Sequence, residues 1–177
     1  MDFYLIQEYF LSAVIIGLAV FTAQSILERR TKRRRLLRFL SALACLFYLL
    51  ALYEATIGGR IPYEGKHLQT TLFWSYREIW ENGNRFLMRQ NLENIFAFLP
   101  LGVFFEDFFG EKMRWYFVFA AGALLSASIE LAQYLFKLGL FEFDDIFHNT
   151  LGAMIGYAIA KIIKNLVNLV IKKRNYI

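Results

Sequence analysis

The stretch YFLSAVIIGLAVFTAQSIL (residues 9–27), followed at once by ERRTKRRRLLR (28–38), decides the fold. Its nineteen uncharged residues, at about 1.5 Å of helical rise each, reach across a hydrocarbon core of about 30 Å. The block behind them holds seven of the chain's 20 Lys and Arg. Beside an apolar run, such a cluster marks the cytoplasmic side of a membrane, where it also meets anionic lipid. No nucleic-acid partner is expected, because no recognition motif surrounds the block.

Composition points the same way. Of 177 residues 58% are hydrophobic and 18% aromatic, with 19 Phe, and the mean hydropathy is +0.40. An average globular chain is roughly 45–50% apolar. This apolar content excludes disorder, two Pro and 11 Gly exclude collagen, and the lone Cys45 excludes a disulfide scaffold. The expected fold is an all-α polytopic membrane helix bundle, one domain over 1–177, with spans at about 4–27, 36–57, 91–109, 115–137 and 146–169. The third span carries Glu93 and Asn94 at one end, Glu106 and Asp107 at the other, and Pro100 between. The fifth opens with His148 and Asn149 and holds Lys161 and Lys164 further on.

Placing 28–38 inside also places Lys112 and Arg114, and the tail Lys172, Lys173 and Arg174, inside. The expected location is the bacterial plasma membrane, with the N-terminus outside and the C-terminus cytoplasmic. No Lys or Arg precedes residue 29, so the first span reads as an uncleaved anchor. The 58–90 connection is too long for a simple loop. Leu72, Phe73, Tyr76, Ile79 and Trp80 recur there at helical spacing, predicting a helix that ends at Asn82-Gly83-Asn84. Its aromatics either lie in the outer interface or pack over the bundle mouth.

Polar groups inside spans are costly and tend to face the bundle interior. Here they gather at one level, in the outer leaflet of this topology. Glu130 and Gln133 share a face of the fourth span, and Asp145 and Asn149 share the start of the fifth, whose stripe continues through Gly152 and Gly156. Asn94 lies one turn into the third. Bland roles exist for each: Asp144 or Asp145 as the cap of its own helix, Gly152 and Gly156 as a small-residue packing face, the amides as interhelical glue, and Pro100 as a tolerated kink. His148 stands i+3 from Asp145 and i+4 from Asp144, a spacing a metal can use, yet no metal or cofactor is assigned. Packing has no need of a carboxylate at Glu130, and pairing with Asp145 raises the pKa of one of the two.

The run Asn94-Ile-Phe-Ala-Phe98-Leu-Pro100-Leu-Gly102 resembles the N-x-x-x-F-x-P-x-G motif of the VanZ-like family. A second block of that family, Glu and Gln three apart, two acidic residues three apart, then Asn and Gly, falls on Glu130, Gln133, Glu142, Asp145, Asn149 and Gly152. The match covers about 91–160. Family members commonly carry Asp, often preceded by a basic residue, where this chain has Glu142 preceded by Leu138 to Phe141, and the 58–90 region lacks the usual Pro before the Phe. The resemblance implies a membrane protein whose namesake lowers susceptibility to teicoplanin. It adds Glu142 to the binding candidates Asn94, Glu130, Gln133, Asp145 and Asn149, and Gly102 to the structural set Pro100, Gly152 and Gly156.

Three functions stay open. A polar outer-leaflet pocket can engage membrane lipid, a lipid-linked cell-wall precursor or the glycopeptide itself. An intramembrane enzyme can use Glu130 and Asp145 as catalytic groups, with His148 and a metal, on a lipid-linked substrate. A structural bundle can partner another membrane protein. No Ser-His-Asp set, phosphate-cradling glycine loop or zinc-type Cys/His spacing names a reaction, so binding leads.

Overall fold

A computed structural model describes residues 31–62 and 64–174. The expected span at 4–27 lies outside the described residues. The described chain is all-α, built from α1 (Thr31–Tyr53), α2 (Trp74–Asn82), α3 (Arg85–Phe109), α4 (Trp115–Phe136) and α5 (Phe143–Arg174). A π-helical turn, Glu54–Gly58, prolongs α1 and closes with the Gly59 N–H donating to the Glu54 carbonyl at 2.8 Å.

Three stretches are long and apolar enough to cross a membrane: Leu36–Gly58, Trp115–Phe136 and Phe143–Val170. The first two agree with expectation to within a residue, while α5 is longer than 146–169 at both ends. The five expected spans are not confirmed. The stretch 91–109 belongs to α3, an unbroken 25-residue helix that opens with Arg85, Arg89 and Glu93 and ends with Glu106 and Asp107. Instead α3 packs along α5, with Phe98, Pro100, Leu101, Gly102, Val103 and Phe104 all buried, while Leu92, Phe96 and Phe108 on it are exposed. On α1, by contrast, Leu36, Phe39, Leu43, Leu46 and Leu50 are exposed. That is an apolar stripe at helical spacing with none of the described residues covering it, as a lipid-facing helix requires.

The most extensive packing is α3 against α5, followed by α4 against α5. At the α3–α5 crossing backbone meets backbone. A Cβ on Gly152 would lie 2.1 Å from the Ile95 carbonyl oxygen, one on Gly156 1.9 Å from that of Leu99, and one on Gly102 1.9 Å from that of Ala153. Only hydrogen side chains permit this approach. Below it Tyr48 of α1 reaches across to donate to the Ala97 carbonyl of α3 at 3.1 Å.

Two three-residue strands, which the sequence does not foretell, join the long connection to the α4–α5 turn. β1 (His67–Gln69) pairs in parallel with β2 (Leu140–Glu142), Gln69 opposite Glu142. The expected helix in 58–90 is α2, shifted to begin at Trp74 and ended by Gly83 at φ +62°. Of its aromatic stripe Trp80 turns outward, 90% exposed, while Phe73 and Tyr76 pack on Phe147 and His148 of α5 and Ser75 is buried. The Asn84 side chain accepts from Leu87 N at 3.2 Å and so starts α3.

Candidate functional site

Three elements meet where α4 ends and α5 begins. The last turns of α4 supply Ser126, Glu130 and Gln133, β2 supplies Glu142, and the first turns of α5 supply Asp144, Asp145, His148 and Asn149. From α3 come Gln90, Asn91 and Asn94, and from the chain after the π turn comes Arg60. The α4–α5 turn is short because Lys137 adopts φ +60° and Leu138 N returns to the Gln133 carbonyl at 2.7 Å. This brings Glu142 back over Glu130.

The structure brings Asn94, Glu130, Glu142 and Asp145 together. Glu130 Oε2 accepts from the Glu142 backbone N–H at 3.1 Å, and Glu142 Oε2 accepts from Gln90 Nε2 at 2.9 Å. Glu142 and Asp145 lie side by side as two carboxyl groups. The amides of Asn94 and Gln90 and the Glu142 carboxyl stand at hydrogen-bonding range of Asp145, and the Arg60 charge reaches it. Glu130 and Glu142 are buried, at 2% and 5% exposed. Asp145 and Asn94 are half-buried, and Asp145 Oδ1 and Asn94 Nδ2 have no partner among the described residues other than each other. Burial first, then the Asp145 carboxylate, pushes the Glu142 carboxyl up to about 8 from its ordinary 4.5.

Gln133 and Asn149 sit at the margin of this group. Gln133 Nε2 donates to the Thr56 carbonyl at 2.9 Å, satisfying a backbone acceptor at the C-terminal end of the π turn. Asn149 lies one turn deeper than Asp145 and donates to Ser126 Oγ at 2.9 Å, while its Oδ1 has no partner. Both amides thus hold helices together, as interhelical glue does. Pro100, Gly102, Gly152 and Gly156 stand at the helix crossing and touch none of the carboxylates through any hydrogen bond.

The expectation that Asp144 or Asp145 caps its own helix is corrected, because α5 starts at Phe143 and both fall inside its first turn. Asp144 instead serves another helix. Its carboxylate accepts from Phe73 N, from Ser75 N at 3.0 Å and from Ser75 Oγ at 2.6 Å, filling the open N-terminus of α2. Asn91 Nδ2 donates to the same Ser75 hydroxyl at 3.0 Å. One turn further along α5, His148 Nε2 meets the Tyr76 hydroxyl at 2.8 Å. Asp144 and His148 therefore bind α2 while Asp145 faces the carboxylates, and the three do not converge as a metal set. Among the described residues no three His, Cys, Asp or Glu side chains are placed to hold one metal ion, Glu130, Glu142 and Asp145 included.

Sequence reasoning missed Gln90, Arg60 and the Asp144–Ser75 link. Gln90 stands four residues before Asn94, so beginning the third helix at Arg85 would have revealed a stripe. Arg60 has no such signal. It is the cation of this end of the bundle, donating from Nη1 to the Leu138 carbonyl at 3.4 Å and acting on both Glu130 and Asp145. The connection before Glu142 holds no basic residue after Lys137, and Arg60 comes to it from another part of the chain.

Three helices long and apolar enough to cross a membrane, with carboxylates gathered at one end, define a multi-helix membrane protein. Within that class the chain belongs to the VanZ/LLP1 family, whose model matches residues 39–164. No curated protein and no solved structure matches it.

Proposed function

We propose that this chain is a multi-pass protein of the bacterial plasma membrane that lowers susceptibility to teicoplanin-type glycopeptides. Its working part is a polar outer-leaflet pocket that engages a cell-wall precursor or lipid head group. The whole chain acts as one five-span domain, N-terminus outside, with α3 as the third span and α2 in the outer interface. The observation that carries the reading is the gathering of Glu130, Glu142 and Asp145 at one end of the bundle, with Asn94 and Gln90 beside them. A membrane protein does not keep three carboxyl groups at a span boundary for packing alone, since each costs about 2.5–3.5 kcal/mol at a helix centre and less toward the interface. The exposed Trp80 of α2 supports its interfacial placement.

The test is expression in a susceptible Gram-positive host. The wild type raises the inhibitory concentration of teicoplanin more than that of vancomycin, because a lipid-tailed drug is anchored where the pocket lies. Asp145→Asn and Glu130→Gln variants that insert normally lose the difference. Retained protection by both variants would sink the reading.

One observation favours the alternative of an intramembrane enzyme. Glu142 beside Asp145 is a carboxyl pair able to hold one proton near neutral pH, as general acid–base work on a lipid-linked substrate needs. Mass spectrometry of envelope lipids and precursors, with and without the chain, separates a changed covalent composition from binding alone.

A further inference from the structure

Arg60 is the cation that the buried carboxylates feel, and two more cations stand outside it. Arg60 Nη1 lies where a side chain on Gly139 would be, 2.8 Å from the ideal Cβ position. Lys137 shortly precedes that glycine, at the φ +60° turn that ends α4. Lys66 arrives from the long connection, since it and Gly139 each immediately precede the first strand pair, His67 with Leu140. Its ammonium is held over the Tyr134 ring, 5.0 Å from the centroid. Two stretches of chain some seventy residues apart thus bring three cations round one glycine, and all three side chains are exposed.

A cation at the C-terminal end of a helix has an ordinary use, to answer the carbonyls left open there. One N–H of Arg60 does so, on Leu138 at 3.4 Å. The rest of the charge is unspent. Arg77 and Arg89 pair with Glu81 and Glu93, whereas among the described residues Arg60, Lys66 and Lys137 form no ion pair, with the exposed Glu54 and Glu64 or with any other carboxylate. Glu130 and Asp145 feel Arg60 from beyond contact distance. The depth is telling as well, because the apolar stretches Leu36–Gly58 and Trp115–Phe136 end just before Arg60 and Lys137. That is the level at which the hydrocarbon of a bilayer gives way to phosphate.

We propose that Arg60, Lys66 and Lys137 together bind the diphosphate of a lipid-linked cell-wall precursor. A guanidinium suits two oxygens of one phosphate and a flexible ammonium suits any oxygen left over. Three unpaired cations exceed what the single charge of a phospholipid phosphodiester calls for, and a diphosphate carries a second. Gly139 keeps the guanidinium in place by offering it no side chain. The proposal rests on the pocket reading above and names the part of the precursor that the protein grips.

Native mass spectrometry of the purified full-length chain in detergent tests it with a matched pair, a sugar-bearing polyprenyl diphosphate and the polyprenyl monophosphate of the same sugar, with phosphatidylglycerol as the third probe. The wild type is expected to prefer the diphosphate over each of the other two by roughly tenfold, equal to about 1.4 kcal/mol, and to lose that preference as salt rises. Arg60→Gln, Lys66→Gln and Lys137→Gln each reduce it, and the triple variant abolishes it while thermal unfolding stays cooperative. Gly139→Ala, whose methyl displaces the flexible end of Arg60, reduces it without removing any charge. Lys112→Gln, at the other end of the bundle, leaves it unchanged and serves as the control. Equal binding of phosphatidylglycerol, equal binding of the monophosphate, or a preference that survives in a folded triple variant overturns the proposal. Drug protection that needs Asp145 but comes without diphosphate preference would leave the pocket reading standing and remove only this one.

Discussion

At the scale of the residue, neighbouring acidic side chains have opposite work. Asp144 has three donors and binds α2, whereas Asp145 faces the amides of Asn94 and Gln90 and the Glu142 carboxyl. The sequence marks both as acidic residues at a helix start and cannot divide the roles, because the donors come from Phe73 and Ser75, some seventy residues away in the chain. Glu142 allows a direct test of the burial argument. Its folded pKa lies near 8 against an ordinary 4.5, so the native state holds a proton that the unfolded chain has released between those values. The stability tied to that proton is full below about pH 4.5 and is lost as pH rises through 8. Glu142→Gln keeps an acceptor for Gln90 and removes the titration. The variant is expected to gain on the order of 1 kcal/mol over wild type at pH 8, with little difference at pH 5. Thermal unfolding in detergent at the two pH values checks this, and an equal offset at both would contradict it.

At the scale of the element, the long helices were legible and their couplings were not. Apolar runs place 36–57 and 115–137 to within a residue because lipid solvation demands a fixed length of uncharged chain. The third helix was read as starting at residue 91, since Arg85 and Arg89 end the apolar pattern although not the helix. The strands were invisible, because three residues such as Leu140–Glu142 carry no periodicity to detect. Of the site, Asn94, Glu130 and Asp145 followed from depth alone. Gln90 and Arg60 depend on where elements dock, which no local pattern encodes. The α3–α5 crossing was legible on one side only, as the Gly152 and Gly156 stripe. Gly156→Ala forces a methyl carbon toward the Leu99 carbonyl, 1.9 Å from its ideal position. A cost of about 3 kcal/mol or more is expected, the upper end of overpacking. Gly83→Ala, where nothing lies within 4 Å, pays only for its positive φ and is expected to lose about 1 kcal/mol. Paired denaturation curves for the two variants decide the order, and a smaller loss at Gly156 would refute the backbone-contact reading.

At the scale of the whole molecule, the orientation proposed from the basic clusters is open to a direct check. A cysteine at Lys66, which is exposed beside β1, is expected to react with an impermeant maleimide in intact cells once Cys45 is replaced by Ser. One at Lys112 is expected to react only after permeabilisation. The reverse pattern would invert the topology and move the carboxylate end to the cytoplasm. The parallel pairing of β1 with β2 also has a kinetic side. A parallel pair cannot close through a tight hairpin, and here Gln69 waits for Glu142, which leaves the ribosome 73 residues later. High contact order of this kind delays assembly. During synthesis α2 and α3 must therefore persist without the partner strand, and the Ser75 hydroxyl without its Asp144 acceptor, until the α4–α5 turn arrives. The polar end of this protein is assembled last, so a chain cut short before residue 140 can insert its early helices and still possess no site at all.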